Sequence, residues 1–378
     1  RFVRHDSATA GTDNFIAGNN AGDAIQSGGN NNTLVGNEAG TAITTGDRNT
    51  AVGFEALKTA TTASYCVAVG YQALENNTGN NNTAVGDQAL EACTSGTNNT
   101  AVGDDAGVAI TTGIHNTIMG VSAGDALTVA QYNVAIGGNS LSTDTEGSRS
   151  TAVGYGALNG QNQTSAADVY NVAVGYTAGN LMSTGKYNTL LGSQAGGGGT
   201  LTGDDNTAVG YAAGYELTSG VNNLLLGHNA GRSGSPAGAV SSANNVVCLG
   251  DDNINYLYCA DTSISSSDSR DKADVTNFTV GLDWVNALRP VTYKWDKRSW
   301  YGTEEEPLGT PDGSKKKSKV NLGFIAQEAL EVEKANGFGD SADNMLVCDV
   351  TEDGQRYGMK YERLVPVLVN AIKELSAK

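Results

Sequence analysis

Two adjacent carboxylate pairs, Asp104-Asp105 and Asp204-Asp205, are the plainest candidates for acid–base chemistry in this sequence of 378 residues. A glycosidase needs two carboxylates held about 5–9.5 Å apart. The neighbours of both pairs belong to an ordinary repeat, and no large insertion builds a cleft around them. Polysaccharide cleavage is therefore not the expected function. Five cysteines follow, Cys66, Cys93, Cys248, Cys259 and Cys348. Their number is odd, and no CxxC pair or histidine partner gives metal-ligand spacing. They read as small buried hydrophobes, and no metal or cofactor is expected. Phe54, Tyr71, Tyr155, Tyr176 and Tyr211 recur at one repeat position. Such a row suits stacking on sugars, and equally suits covering an apolar seam between coils.

The elements that position these residues come from one phrase: Asn-Thr-Ala-Val-Gly, two variable residues, then Ala. It recurs, intact or with substitutions, fourteen times between Gly18 and Gly250, mostly at intervals of 16 to 18 residues. A fixed period of this size marks a solenoid whose coils cannot stand alone. With the motif glycine as position zero, positions −3 to −1 are β-prone and predict a short strand. Positions −1 and −3 share one face; −2 and Gly share the other. Neither face is charged, so both are expected to be covered, one by the coil interior and one by a neighbouring chain. Gly at zero and Ala at +3 mark places with no room, and Gly suits a tight corner. Asn at −4 suits the opposite corner, where stacked amides can bond along the rod. Some of these Asn, such as Asn32, Asn82 and Asn99, fall in N-x-T sequons as the middle residue, read here as repeat chemistry without glycosylation. Fourteen coils at roughly 4.8 Å each give a rod on the order of 65 Å long. Two intervals are longer, 21 residues after Gly154 and 23 after Gly227. The extra residues, 161–167 and 232–242, suit outward loops, either for receptor contact or as tolerated bulges.

The formal charge of −17 argues against nucleic-acid backbones and anionic membranes as partners. No stretch approaches 18 apolar residues, so no membrane insertion is expected. The start, Arg1-Phe2-Val3-Arg4, is expected to continue from something longer.

After Cys259 the pattern changes. Residues 262–270 read as a polar linker. Val280 to Leu288 carries an apolar helical pattern that ends before Arg289-Pro290. Val291 to Trp295 alternates as a strand, 302–320 is a charged loop, and Leu322 to Leu330 begins a second helix. Tyr361, Val365, Leu368, Ile372 and Leu375 then fall at spacings of 4, 3, 4 and 3. That is a narrow helical seam suited to a small bundle, with Pro366 in the first turn.

Two resemblances follow from these phrases. The repeats resemble the YadA-like left-handed β-roll heads of trimeric adhesins, although those heads use a shorter period. They also resemble phage tail-fibre shafts. Residues 263–378 resemble the C-terminal intramolecular chaperone of endosialidase-type phage tailspikes. Four phrases carry that second likeness: Ser267-Asp268-Ser269-Arg270-Asp271-Lys272, Leu288 through Tyr293, Gly323 through Glu328, and Tyr361 through Leu375.

The expected fold is mainly β. A trimeric β-solenoid (β-roll) shaft of 17-residue coils, residues 1–259, precedes a small α+β chaperone domain with a C-terminal helix, residues 260–378. The resemblance implies a homotrimer whose last domain registers the shaft and then cuts itself off at the Ser266–Ser267 bond. It makes Ser267 the nucleophile and Lys272 the general base, with Asp268 and Arg270 as supporting motif residues. A serine hydroxyl needs a base to take its proton. A lysine near its reference pKa of about 10.4 must first be desolvated or set beside another cation. Arg270 could supply that charge or pair with Asp268. The implied setting is a virion tail fibre that meets a host-surface glycan or protein receptor. A bacterial surface adhesin with the same two modules is the alternative.

Overall fold

The computed structural model describes residues 11–254, 267, 269–303, 306–351 and 354–378. Its first unit is a β-solenoid. Fourteen three-residue strands, from Phe15–Ala17 to Val247–Leu249, form one parallel sheet in chain order, one strand per coil. Each coil returns to its own start, so like residues pair with like: Thr83 with Thr100, Ala84 with Ala101, Val85 with Val102.

The two strand faces part company as the alternation predicts. The −2 residues, such as Leu34, Ala84, Ile118 and Leu225, are fully buried inside the coil. The −1 and −3 residues point outward. Met119, Leu191, Val247 and Leu249 are 41–66% exposed, giving a long apolar stripe on the single chain. The Asn column is internal. Asn116 N–H donates to Asn99 Oδ1 at 3.0 Å, and Asn99 Nδ2 donates to the Gly113 carbonyl at 2.8 Å. The pattern repeats at Asn32, Asn49, Asn133 and Asn188. These amides satisfy backbone groups that no water reaches. The sequon acceptors themselves, Asn31, Asn81 and Asn98, stand one residue earlier and are exposed.

The glycine column is fixed by contact and conformation together. Gly53 has φ +142°, and a Cβ there would lie 2.1 Å from the Gly70 carbonyl oxygen. No other residue fits that approach.

A volume rule inside the coil is visible only in the structure. Position +4 holds a left-handed Gly or Leu in every coil but the last, where Ile254 stands. Leu57, Leu74, Leu90, Leu141 and Leu158 are buried at φ 50–55°. Where Leu stands at +4, the residue at +7 is small or polar: Ala60, Asn77, Cys93, Asp144 or Gln161. Where Gly stands there, +7 is large in most coils, as in Ile43, Ile110, Leu127 and Leu217; Gly199 and Gly234, in coils longer than 17 residues, are the exceptions. A Cβ on Gly40 would sit 2.8 Å from Ile43 Cδ1, so the two positions share one space. Close packing forces the exchange. The polar +7 residues of Leu-type coils adjoin the Asn column: Asn82 Nδ2 donates to Asn77 Oδ1 at 2.9 Å, and Asn171 Nδ2 to Gln161 Oε1 at 2.9 Å. Asp144 is wholly buried there. It accepts from Gln163 N at 2.9 Å, from Gly147 N at 3.1 Å and from Gln161 Nε2. Burial pushes its carboxyl above the usual range, and these hydrogen bonds offset that only in part.

The first unit ends at Asp251, and the second runs from Asp252 to Lys378 with Pro236–Gly238. The second holds α1 (Leu282–Ala287), α2 (Ala326–Ala335) and α3 (Leu364–Ser376), with two short antiparallel strand pairs. Trp284 of α1 packs with Val347, Leu364 and Val367 to form its core. Helix α1 ends before Arg289-Pro290, and Pro366 lies in the first turn of α3, as expected. The second helix is shifted from its expected start. Asn321–Gly323 is a strand paired with Val291–Tyr293, and the helix begins at Ala326. The apolar run Leu322 to Leu330 is thus split between two elements. No helix among the described residues is long and apolar enough to cross a membrane.

Two outcomes test this core. Cys93→Ile in its Leu-type coil should destabilise by about 1–3 kcal/mol through overpacking. Leu90→Gly should cost more, about 2–5 kcal/mol, by leaving a cavity. The double variant becomes a Gly-type coil and should recover at least ~1 kcal/mol of their sum in a thermal double-mutant cycle. Asp144 has a raised carboxyl, so its contribution is present in acid and is lost as pH rises through the raised value. The melting temperature of Asp144→Asn minus that of wild type should therefore rise between pH 4 and 8.

Candidate functional site

A 3-10 turn over Ser269–Asp271 brings the chain back on itself just after Ser267. Lys272 Nζ donates to Ser267 Oγ at 2.7 Å, across five residues. Both side chains are exposed. Among the described residues, the contact between hydroxyl and amine has no enclosure around it. Arg270 is exposed on the same turn. Ser266 and Asp268 lie outside the described residues, as do most of the linker and Cys259.

The other three phrases meet around one small framework. Arg289 Nε donates to Glu328 Oε2 at 2.9 Å, joining the second phrase to the third beside the Val291–Gly323 strand pair. The third joins the fourth through Tyr361, whose hydroxyl accepts from Phe324 N at 3.2 Å. Gly323 leaves room for it, since a Cβ would lie 2.5 Å from that hydroxyl and displace it. Helix α3 closes the set. Asn370 Nδ2 donates to the Phe278 carbonyl at 2.7 Å, and Glu374 accepts from Leu282 N at 3.2 Å. Leu364, Val367 and Ala371 face this interior. The expected seam is the opposite face: Val365, Leu368, Ile372 and Leu375 are 45–62% exposed.

The framework also holds a group that sequence reasoning missed. Glu333 is fully buried, and its carboxylate accepts from Leu346 N, from Val347 N at 3.2 Å and from Cys348 N at 2.9 Å. An acid on the same helical face as Ala329 and Leu330 was the available signal. It anchors the strand Cys348–Val350 to α2. Burial and, secondarily, this carboxylate push the Cys348 thiol up to about 12. Burial likewise carries Cys93 to about 12. Cys66, Cys93, Cys248 and Cys348 are all buried and free, as small hydrophobes would be. No metal-binding cluster occurs among the described residues.

The solenoid's candidates have structural partners. Asp204 Oδ1 accepts from Lys186 N at 2.8 Å, and Asp105 and Asp205 occupy left-handed corners. The +1 aromatics stack between coils: Phe54 on Tyr71 at 5.4 Å, Tyr155 on Tyr176 at 5.8 Å, Tyr211 on His228 at 5.5 Å. A second row, at position −5, escaped the sequence reading because it mixes residue types. His115 stacks on Tyr132 at 5.2 Å and Tyr170 on Tyr187 at 5.6 Å. The Arg149 guanidinium lies over both Tyr132 and Tyr170, at 4.9 and 5.8 Å, and pairs with Asp168 at 2.8 Å. The insertion at 161–167 leads into a short extra strand, Ala167–Asp168, paired with Gly147–Ser148.

Residues 267–338 match a family model described as chaperone of endosialidase. The match begins at Ser267 and takes in the first three phrases. No curated protein and no solved structure matches the chain significantly.

Glu333→Ala would strand three buried N–H donors, each worth about 1–3 kcal/mol. Calorimetry should show the transition of the second unit lowered by at least ~3 kcal/mol, with the solenoid transition unmoved.

Proposed function

We propose that this chain is a homotrimeric fibre whose last domain assembles and registers the shaft and then severs itself at the Ser266–Ser267 bond. The observation that carries this reading is a coincidence of position. The family match starts at Ser267, and the hydroxyl of that serine lies 2.7 Å from the Lys272 amine. In the proposed cut, neutral Lys272 takes the Ser267 hydroxyl proton, and Oγ attacks the Ser266 carbonyl carbon. The C–N bond breaks, and the amine leaves with a proton. Water then hydrolyses the ester to the Ser266 carboxylate. Lys272 is exposed in the single chain, so the reading assigns its enclosure to assembly.

Two apolar faces exposed among the described residues support three chains. One is the outer −1/−3 stripe of the solenoid, and the other is the seam of α3. Soluble chains rarely leave such faces open. In this reading the fibre belongs to a phage tail and meets a host-surface glycan or protein.

Intact mass and N-terminal sequencing of the folded protein, with light scattering, test both halves. Wild type should yield a fragment beginning at Ser267 and a three-chain assembly. Lys272→Ala should keep the assembly and lose the fragment, while Ile372→Asp should reduce both. The same fragment from wild type and Lys272→Ala would remove the dyad assignment.

A further inference from the structure

The +1 ladder of rings has one missing rung. Tyr155 and Tyr176 stack below it, and Tyr211 and His228 stack above it. Ser193 occupies the coil between them. Single file is fixed by the backbone: Gln194 N donates to the Tyr176 carbonyl at 2.9 Å, and Ala212 N to the Ser193 carbonyl at 3.0 Å. Among the described residues, no ring or cation lies against the upper face of Tyr176 or the lower face of Tyr211. Both tyrosines are at least half exposed, at 58% and 50%. Elsewhere in the row, interruptions are wider, as from Asp87 to Gly138. Ser193 is the single position there, among the described residues, with a free aromatic face on each side.

The size of the gap follows from the ladder's own spacing of 5.4–5.8 Å. Two such steps separate the facing rings by about 11 Å, and a six-membered ring packs on an aromatic face at about 4.5–7 Å. One ring fits midway, at the level of Ser193, and two do not. The chemistry of the rim selects its kind. Tyr176, Ser193 and Tyr211 each carry a hydroxyl, and the two rings supply electron-rich faces. A pyranose matches this, with C–H groups on both faces and hydroxyls around its edge. The other end rings of the row, such as Tyr71 and Tyr155, face Asp87 and Gly138 and so offer a sugar one wall, not two.

We propose that the Ser193 rung binds one pyranose ring of a glycan, held between Tyr176 and Tyr211. This deepens the attachment role proposed above by giving it a ligand class and a place. The test is saturation-transfer NMR on the full-length protein with chito-, malto- and cello-tetraose. Saturation of the protein should reach the pyranose ring C–H protons. Ser193→Tyr fills the rung and should weaken binding at least about tenfold, while melting at or above the wild-type temperature as the ladder closes. Tyr176→Ala removes one wall and should weaken binding likewise, which serves if Ser193→Tyr folds poorly. Equal binding by either variant overturns the site, as does saturation of none of the three sugars. Saturation of N-acetyltyrosine amide in place of sugars overturns it in favour of an aromatic peptide. Assembly and the Ser267 fragment are read separately on the same variants, so failure here is distinct from failure of the fibre reading.

Discussion

Adjacent coils approach so closely at the motif glycine that no Cβ fits between them. A side chain at Gly36, Gly53 or Gly86 would lie 2.1 Å from the next coil's carbonyl oxygen. That approach closes the corner after each strand and sets the rise of the solenoid. It thereby brings like residue against like residue in every column. The Asn ladder, the stacked rings and the outer apolar stripe all follow from the same vertical alignment. A single corner geometry, repeated, turns a one-dimensional period into continuous columns of chemistry.

Much of this was legible because the columns are nearly pure. Ala-Val-Gly, or an apolar substitute at its first two places, marks interior, outer face and corner in each coil, and the alternation assigned the faces without ambiguity. The paired Leu or Gly at +4 and its partner at +7 were not legible. Each column alone looks irregular, and only their contact within the coil reveals that they divide one volume. The −5 row was missed for a similar reason. Arg, Tyr and His share no type, yet stacked one rung apart they share flat faces and the same corner.

In the second unit, sequence pattern located the helices and misplaced one boundary. Leu322 is apolar in a run of apolar residues, but strand pairing with Val291–Tyr293 claims it before the helix can start. Phrases distant in sequence proved adjacent in space through Arg289–Glu328 and Tyr361–Phe324, which no local pattern encodes. The Ser267–Lys272 contact spans only five residues, and a single turn suffices to make it. Glu333 shows the opposite case, an acid whose task is to hold three backbone amides in a dry interior.

The column architecture also governs how such a molecule can vary. Every coil presents the same corner above and below, so removing or duplicating one whole coil creates no new kind of junction. Removing half a coil would misalign every column beyond the change. The solenoid behaves as a ruler graduated in single coils, whose length can change by unit steps without a new junction.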